Sequence, residues 1–563
     1  MSGYDFSPLY HASHLAFSPG STFLATSHTD RLIVRSTTNL TIVRTWHLAS
    51  LARSEHKPDL RRIDSVQWSD DGVYVLAFCR AEGRAWVFGL AEEGEGEDGE
   101  VARVESGGVE GLERVEWAKG GREVLGWGEH GLKLLIYSLP TGQTSVIQNP
   151  KAPTNCHTYS PDHRYFAVVE RHSGKDFVGV YDTADRYQLI RHFGLQASDA
   201  QSIKWSPCGR FIAVVDSHLS YSLYIHSPIG PLLTHFSHLS STFSPTPSIV
   251  SSSPASSTSS STIHEDPGLG IRHLTWAPGG QYVVLMGWDG KVRVLEAEGW
   301  RCLAVIGGNI GNRVGKGVVV WREPEGWVKD TRGRGIVQFD RIPHTSPLPS
   351  SSAAASIPNT PTLLPSQYPL SISPSGRHFI YLPPSCPTVL HIYTLLPSPG
   401  SLPSIKHKAA VVFSRPVRGV QWAGGGKERL AVICRSTSAT KSGAGTGAGG
   451  GGAVYIWDEE GWVDEGDERD GGAEGGVMEG VGIPNGADFH MSDLQFSPDV
   501  TTLALQSRGE FCVMYDTDDD SVDGADGAAQ PGAGGDVHHQ EEVREWETEG
   551  LSFVREEDEE EEL

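Results

Sequence analysis

A single phrase returns nine times along the 563 residues. It is an apolar run ending in a bulky residue, a small polar residue, a Pro/Gly/Asp turn, and a second apolar run. It stands as LAFSPG at Leu15–Gly20, VQWSDDG at Val66–Gly72, VEWAKGG at Val115–Gly121, TYSPDH at Thr158–His163 and IKWSPCG at Ile203–Gly209. It returns as LTWAPGG at Leu274–Gly280, SISPSG at Ser371–Gly376, VQWAGGG at Val420–Gly426 and LQFSPD at Leu494–Asp499. The first five anchors, Phe17, Trp68, Trp117, Tyr159 and Trp205, lie 51, 49, 42 and 46 residues apart. A beat of that length marks a repeat architecture rather than a string of independent domains.

Around Trp276 the unit can be read strand by strand: IRHLTW, a turn, QYVVLMG, the turn Trp288-Asp289-Gly290, KVRVLEA, then WRCLAVIG. Asp-Gly between two apolar runs is a hairpin signal whose central residues both need positive φ. In the anchor phrase, proline presets φ, Asp or Ser caps the turn, and glycine permits the exit. Four strands per beat of about 40–45 residues is the unit of a WD40-type β-propeller, in which the anchor aromatic packs between neighbouring blades. The sequence therefore predicts an all-β propeller of nine degenerate blades in one ring; seven blades plus extra repeats, or two incomplete rings, fit the count as well. Only Ile456-Trp457-Asp458 keeps the W-D dipeptide, with Val180-Tyr181-Asp182 and Met514-Tyr515-Asp516 as relaxed forms.

The beat breaks where low-complexity tracts intervene, because such tracts bury too little surface to fold. The expected domain runs over 1–517, with disordered insertions at about 91–108, 237–266, 341–366, 436–452 and 464–476, and an acidic tail over 518–563. The piece Tyr4–Tyr10 is placed to serve as the outer strand of the last blade, which would close the ring and remove its open edges.

A net charge of −24 argues against direct nucleic-acid binding, which needs clustered Lys and Arg. Seven cysteines without a CxxC pair, several in apolar runs, suit a reducing compartment and argue against disulfides or a zinc site. No secretory leader is evident, and no run approaches the 18 apolar residues of a membrane span. Gly445-x-Gly447-x-x-Gly450 matches a dinucleotide fingerprint only by composition, since it sits in a glycine tract with no following helix. The 23 histidines include no HExxH and no carboxylate-supported H-x₃-H pair, and His538-His539 falls in the acidic tail. Neither a G-x-S-x-G elbow nor a Cys/His pairing stands out, so no enzyme, cofactor or metal is expected. The pairs Ser244-Pro245, Thr246-Pro247, Ser253-Pro254, Ser346-Pro347 and Thr360-Pro361 are candidates for proline-directed phosphorylation.

Three long segments carry a closer likeness: SPDHRYFAVVERHSGKDFVGVYDTADRYQLIRHF at Ser160–Phe193, IKWSPCGRFIAVVDSHLSYSLYIHSPIGPLLTHFS at Ile203–Ser237, and IRHLTWAPGGQYVVLMGWDGKVRVLEAEGWRCLAVIG at Ile271–Gly307. Weaker matches lie at Asp30–Val43 and Pro416–Trp422. In these stretches the chain resembles the family of WD-repeat-containing protein 8, the centrosomal and spindle-pole WD-repeat proteins. The resemblance implies a non-catalytic scaffold in the cytoplasm and cytoskeleton, at the spindle pole body or microtubule-organising centre. It implies a role in anchoring microtubule minus ends and assembling the mitotic spindle. The implied partners are a coiled-coil microtubule-anchoring protein and a minus-end-directed kinesin. The family supplies no contact residues; Glu170, Arg171, Lys175 and Asp176, a charged connection between two strands of the best-matched repeat, are the candidates for partner contact. The competing readings are a translation-initiation-factor-like propeller that binds ribosome or RNA, and a substrate adaptor of a ubiquitin ligase.

Overall fold

In six of the nine anchor phrases a serine and its turn satisfy each other; in the other three Ala118, Ala277 and Ala423 stand in its place. In Ser69–Gly72 the amide of Gly72 donates to the carbonyl of Ser69 (2.9 Å), and the amide of Tyr74 donates to Ser69 Oγ (2.9 Å). The Ser69 hydroxyl in turn donates to the Asp71 carboxylate at 2.5 Å. The same hydroxyl–carboxylate bond, also 2.5 Å, recurs at Ser160–Asp162 and Ser497–Asp499. The turn's last residue takes left-handed backbone, φ 71° at Gly72 and 76° at Gly209, where a β-carbon would be strained. Each anchor indole then lies against the blade before it. Trp68 stacks on Phe23, Trp117 on Tyr74, Trp276 on Phe211 and Trp422 on His378, with centroids 6.3 to 6.5 Å apart. The anchors are core, as the sequence indicated.

The computed structural model describes residues 3–48, 62–90, 99–106, 111–151, 154–237, 269–307, 314–327, 331, 335–349, 370–396, 404–435, 452–460, 475–483 and 489–517. The chain divides into the unit Met1–Asp518, which holds every described residue, and the unit Asp519–Leu563. Among the described residues the strands form nine sheets, or blades, each built on four antiparallel strands counted from inner strand a to outer strand d. Blades 1 to 6 occupy 14–47, 65–105, 112–148, 157–194, 202–237 and 271–306; blades 7, 8 and 9 are built on 370–412, 417–482 and 493–516. Strands b and c read as unbroken apolar runs, such as Val75–Cys79, because neighbouring blades bury both of their faces. Hydrophobic clusters accordingly lie between blades, for instance Leu223, Leu274, Trp276 and Leu285 between blades 5 and 6.

Direct contacts join each blade to the next around the whole circle. The Trp68 indole donates to Ala16 (2.9 Å), Gln67 to Val115 (3.1 Å) and Lys204 to Leu274 (2.7 Å). Blades 3 and 4 share Trp127 and Phe166, blades 6 and 7 share Leu303 and Phe379, and blades 7 and 8 share Ile392 and Val432. The Ile203 amide donates to Asn155 ahead of blade 4, and that of Phe496 to Gln421 of blade 8. Gln506 of blade 9 donates to Ser13 and Tyr515 to Thr37, which returns the ring to blade 1. The outer strand of blade 9 is Tyr4–Phe6, paired antiparallel with Met514–Asp516, and Tyr10–His11 continues the pairing to Glu510. One nine-bladed ring is the architecture.

Three sequence expectations need correction. Residues 100–105, placed within the first insertion, form the outer strand of blade 2: an outermost strand needs only one buried residue, here Val104, so its charged composition was misleading. Residues 341 and 342, placed at the start of another insertion, fall in the strand Asp340–Ile342, and the described chain runs on to 349; Ser237, Gly452 and the pair Gly475 and Gly476, at the edges of others, are likewise placed. At Trp288-Asp289-Gly290 only Gly290 has positive φ (70°). The turn closes from Gly290 N–H to Gly287 C=O (3.1 Å), a four-residue turn with glycine last rather than the mirror-image hairpin turn.

The segment between blades 6 and 7 does more than loop away. Val319–Arg322 adds a parallel strand outside blade 7 against Ala409–Val412, and Asp340–Ile342 pairs onto it. Ile336–Gln338 adds an antiparallel strand outside blade 8 against Glu479–Val481. One insertion therefore covers the outer edges of two adjacent blades.

Candidate functional site

Glu170, Arg171, Lys175 and Asp176 flank the b–c hairpin of blade 4, where Arg171 pairs with Asp176 and Glu170 with Phe177 across the strands. Alternation along a strand sends neighbouring side chains to opposite faces. Arg171 and Asp176 therefore turn toward blade 5, and Glu170 turns toward blade 3.

On the blade 5 side Asp176 is buried and fully engaged. It accepts from Lys151 Nζ (2.7 Å), from Arg171 Nε (2.8 Å) and from the Ala200 amide (2.8 Å). Lys151 and Arg171 also hold Asp199, at 2.7 and 2.6 Å. The hydrogen bond from Lys151 keeps the Asp199 carboxyl below the usual carboxylate range, and Arg171 adds to it. On the other face Glu170, only 4% exposed, accepts from the Tyr181 hydroxyl (2.5 Å) and faces the Nε2 atoms of His172 (3.0 Å) and His192 (3.3 Å). Burial, followed by the bond to Glu170, raises the Tyr181 pKa far above its ordinary value, so the phenol remains a donor. Of the four sequence candidates, Arg171 and Lys175 present exposed side chains, while Glu170 and Asp176 face inward.

At the opposite end of blades 4 and 5 lies a cavity of about 570 Å³. Its walls are the two anchor turns, Pro161 and Pro207 among them, together with Tyr165, Ile190, Trp205 and Ile229. Ile229 is 68% exposed and shares the lining with Ile190, which is also exposed; Leu189, Leu232 and Leu233 are further exposed apolar residues of the outer strands of the same two blades. A concave surface with exposed apolar residues on its wall is the kind expected of a protein-binding module. The sequence reading missed it because Ile190, in an outer strand, and Ile229, in a turn, are 39 residues apart in the chain.

Other sequence candidates resolve plainly. Cys79, Cys156, Cys302, Cys434 and Cys512 are buried, and burial pushes the Cys156 and Cys302 thiols up to about 11, which leaves them as small apolar core groups. Trp457 of the one W-D dipeptide is fully buried, its indole donating to Gly475 (3.1 Å), while Asp458 pairs with Arg429 (3.0 Å). The glycine fingerprint at 445–450, His538-His539 and the Ser/Thr-Pro pairs at 244–247, 253–254 and 360–361 lie outside the described residues; Ser346-Pro347 lies inside them and is partly exposed.

No protein-family model matches the chain. It is 26% identical over 511 residues to the WD repeat-containing protein WRAP73 of Mus musculus, a match that covers 89% of this chain and 92% of that protein. An uncharacterized WD repeat-containing protein of Schizosaccharomyces pombe is 26% identical over 126 residues, 22% of this chain and 26% of that one. Among solved structures, the C-terminal WD40 domain of Sif2 aligns with 76% of this chain and 95% of its own, at 11% identity and a TM-score of 0.40. The Dos1 propeller aligns with 51% and 67%, at 14% identity and a TM-score of 0.33. The closed ring makes this chain a β-propeller, and the likeness to a WD-repeat protein along nearly the full length supports a WD-repeat scaffold that binds proteins.

Proposed function

We propose that this propeller is a scaffold of the microtubule-organising centre, at the spindle pole body or centrosome, where it helps anchor microtubule minus ends and assemble the mitotic spindle. It acts by holding a coiled-coil microtubule-anchoring protein and a minus-end-directed kinesin in one complex. The observation that carries this reading is the resemblance in Ser160–Phe193, Ile203–Ser237 and Ile271–Gly307 to centrosomal WD-repeat proteins. It is supported by a likeness to one WD-repeat protein that runs along nearly the whole ring. The first two of those stretches are blades 4 and 5, the blades that expose the apolar groove.

The coiled-coil partner docks in that groove, its apolar seam meeting Ile190 and Ile229, and Arg171 and Lys175 supply contacts at the other end of the same blades. Ile190→Asp with Ile229→Asp changes only solvent-facing positions, so the ring stays folded while recovery of the coiled-coil partner falls at least tenfold. Reversing Arg171 and Lys175 to Glu weakens recovery less. Imaging of the tagged chain through mitosis should show foci at spindle poles. A diffuse signal that sediments with ribosomal subunits would overturn the proposal in favour of a translation-factor-like ring, and recovery of cullin components in place of spindle proteins would favour a ligase adaptor.

A further inference from the structure

Glu170, His172 and His192 stand together on the face of blade 4 that looks toward blade 3. Glu170 and His172 are two apart on strand b, and His192 is on strand d, with strand c between them. Strand c lets them meet because Gly179, which pairs with both Val168 and His192, has no side chain. A β-carbon there would strike the Glu170 carboxylate and the Tyr181 ring. The glycine leaves a lane along which the carboxylate reaches across a whole strand.

The resulting geometry is that of a ligand set. The three ligand atoms lie within 4.8 Å of one another. The Glu170 carboxylate is held by one oxygen, Oε1, through the Tyr181 hydroxyl, and its other oxygen faces the two imidazole nitrogens at 3.0 and 3.3 Å. A zinc ion with bonds of about 2.0–2.1 Å in tetrahedral geometry spaces its ligands about 3.3 Å apart, so the two carboxylate–imidazole edges already stand within a few tenths of an ångström of that spacing, and the imidazole–imidazole edge is within 4.8 Å. The supporting shell is built as well. Tyr181 orients the carboxylate, and Phe177 stacks on His192 at 5.0 Å with the rings 7° from parallel. His172 packs edge-on against Phe177 at 5.7 Å. Both histidines are about one-third exposed, which gives an ion a path in and leaves a fourth position to water.

A second histidine–carboxylate group, His378 with Glu428 and Glu459, shows the contrast. There Lys408 already binds Glu459, with Arg377 at 3.5 Å, so a cation occupies the place that an ion would take. We infer that Glu170, His172 and His192 form a zinc site on the rim of blade 4, three protein ligands and a water, which ties strand d to strand b across strand c. Two imidazoles and a carboxylate are a donor set suited to zinc, and the 20-residue gap between the histidines hides the site from motif searches.

The test uses the full chain, stripped with chelator and titrated with zinc chloride by calorimetry, then with cobalt(II) followed by visible absorption. The expected result is one equivalent of zinc bound, a higher Tm on binding, and the d–d absorption of a four-coordinate cobalt ion. Glu170→Gln, which keeps the size of the side chain, and His192→Ala each lose that equivalent and the Tm gain. His235→Ala, at an exposed histidine of blade 5, keeps both. Circular dichroism of the metal-free variants establishes that they are folded. The inference is overturned if folded wild-type chain takes up no stoichiometric zinc, which leaves two histidine–carboxylate contacts. It is equally overturned if Glu170→Gln and His192→Ala bind as the wild type does, which marks the uptake as adventitious.

Discussion

Blades 1 to 5 and blades 7 and 8 end in opposite ways. The outer strands of blades 1 to 5 face solvent; in Ile42–His47 only Trp46 is buried, and in Gln188–Gly194 no residue is. Such edges are kept from pairing with other chains by charge and by short length. The outer strand of blade 7, Ser404–Val412, is buried from Lys408 onward, and that of blade 8, Val477–Gly482, is buried at all but one position. These two strands are buried on both faces over much of their length because the insertion strands Val319–Arg322 and Ile336–Gln338 lie outside them. A propeller blade thus tolerates an apolar outer strand when another piece of its own chain covers it.

Deleting 314–349 breaks this arrangement most severely. It uncovers Val411 and Val481 along two unpaired edges, and the soluble yield of folded protein should collapse, with aggregation seen by light scattering. Next in size is Glu323→Ala within the insertion. Glu323 is 4% exposed and accepts from Trp327 Nε1 (2.9 Å), the Tyr455 hydroxyl (2.7 Å) and the Ser414 amide (2.6 Å). Leaving three buried donors unpaired should cost about 3–5 kcal/mol in denaturant unfolding. Its counterpart among the exposed-edge blades, Asp176→Ala, should cost about 2–4 kcal/mol, because Lys151 and Arg171 keep Asp199 as a partner.

The covered blade also carries an acid sensitivity. His391 and His407 contact each other in blade 7 (3.2 Å), and burial holds both imidazoles well below their ordinary value of 6.5, His407 down to about 4. Unfolding restores the ordinary value, so the unfolded chain binds more protons between those limits. Their contribution to stability is complete above about pH 6.5 and is lost as the pH falls toward 4. Tm measured across that range should drop by several degrees, and less in His407→Phe, which keeps an aromatic ring against Tyr393 (4.5 Å). The smallest effect belongs to an exposed edge: Ile42→Lys in blade 1, where the residue is 58% exposed, should change stability by less than about 0.5 kcal/mol. The same substitution at buried Val411 should unfold blade 7, and equal effects at the two positions would erase the distinction between the two kinds of edge.

Much of the ring was legible because each anchor phrase carries its reason locally. Ser69, Asp71 and Gly72 make their bonds within six residues, and a pattern so short survives in sequence. What could not be read depends on partners far away in the chain. Lys151 reaches Asp199 across 48 residues, Glu323 reaches Tyr455 across 132, and nothing in either neighbourhood names the other. The apolar run Ala409–Val412 was a usable signal, since an outer strand without polar alternation must be covered. The alternation of Glu170 and His172, opposite a glycine on the next strand, was a second one. The partner surface stayed hidden for the opposite reason: single exposed isoleucines are ordinary, and only the fold sets Ile190 beside Ile229.

The pairing of Tyr4–Phe6 with Met514–Asp516 also fixes an order of events in the making of the protein. Ser7 bonds to Val513 at 2.9 Å across a separation of 506 residues. At a translation rate of about 5–20 residues per second, the nascent chain carries that first strand for roughly half a minute to two minutes before its mate leaves the ribosome. Once blade 2 has been made, blade 1 has a neighbour on one flank and none on the other until blade 9 follows, which leaves that flank open to a chaperone for most of synthesis.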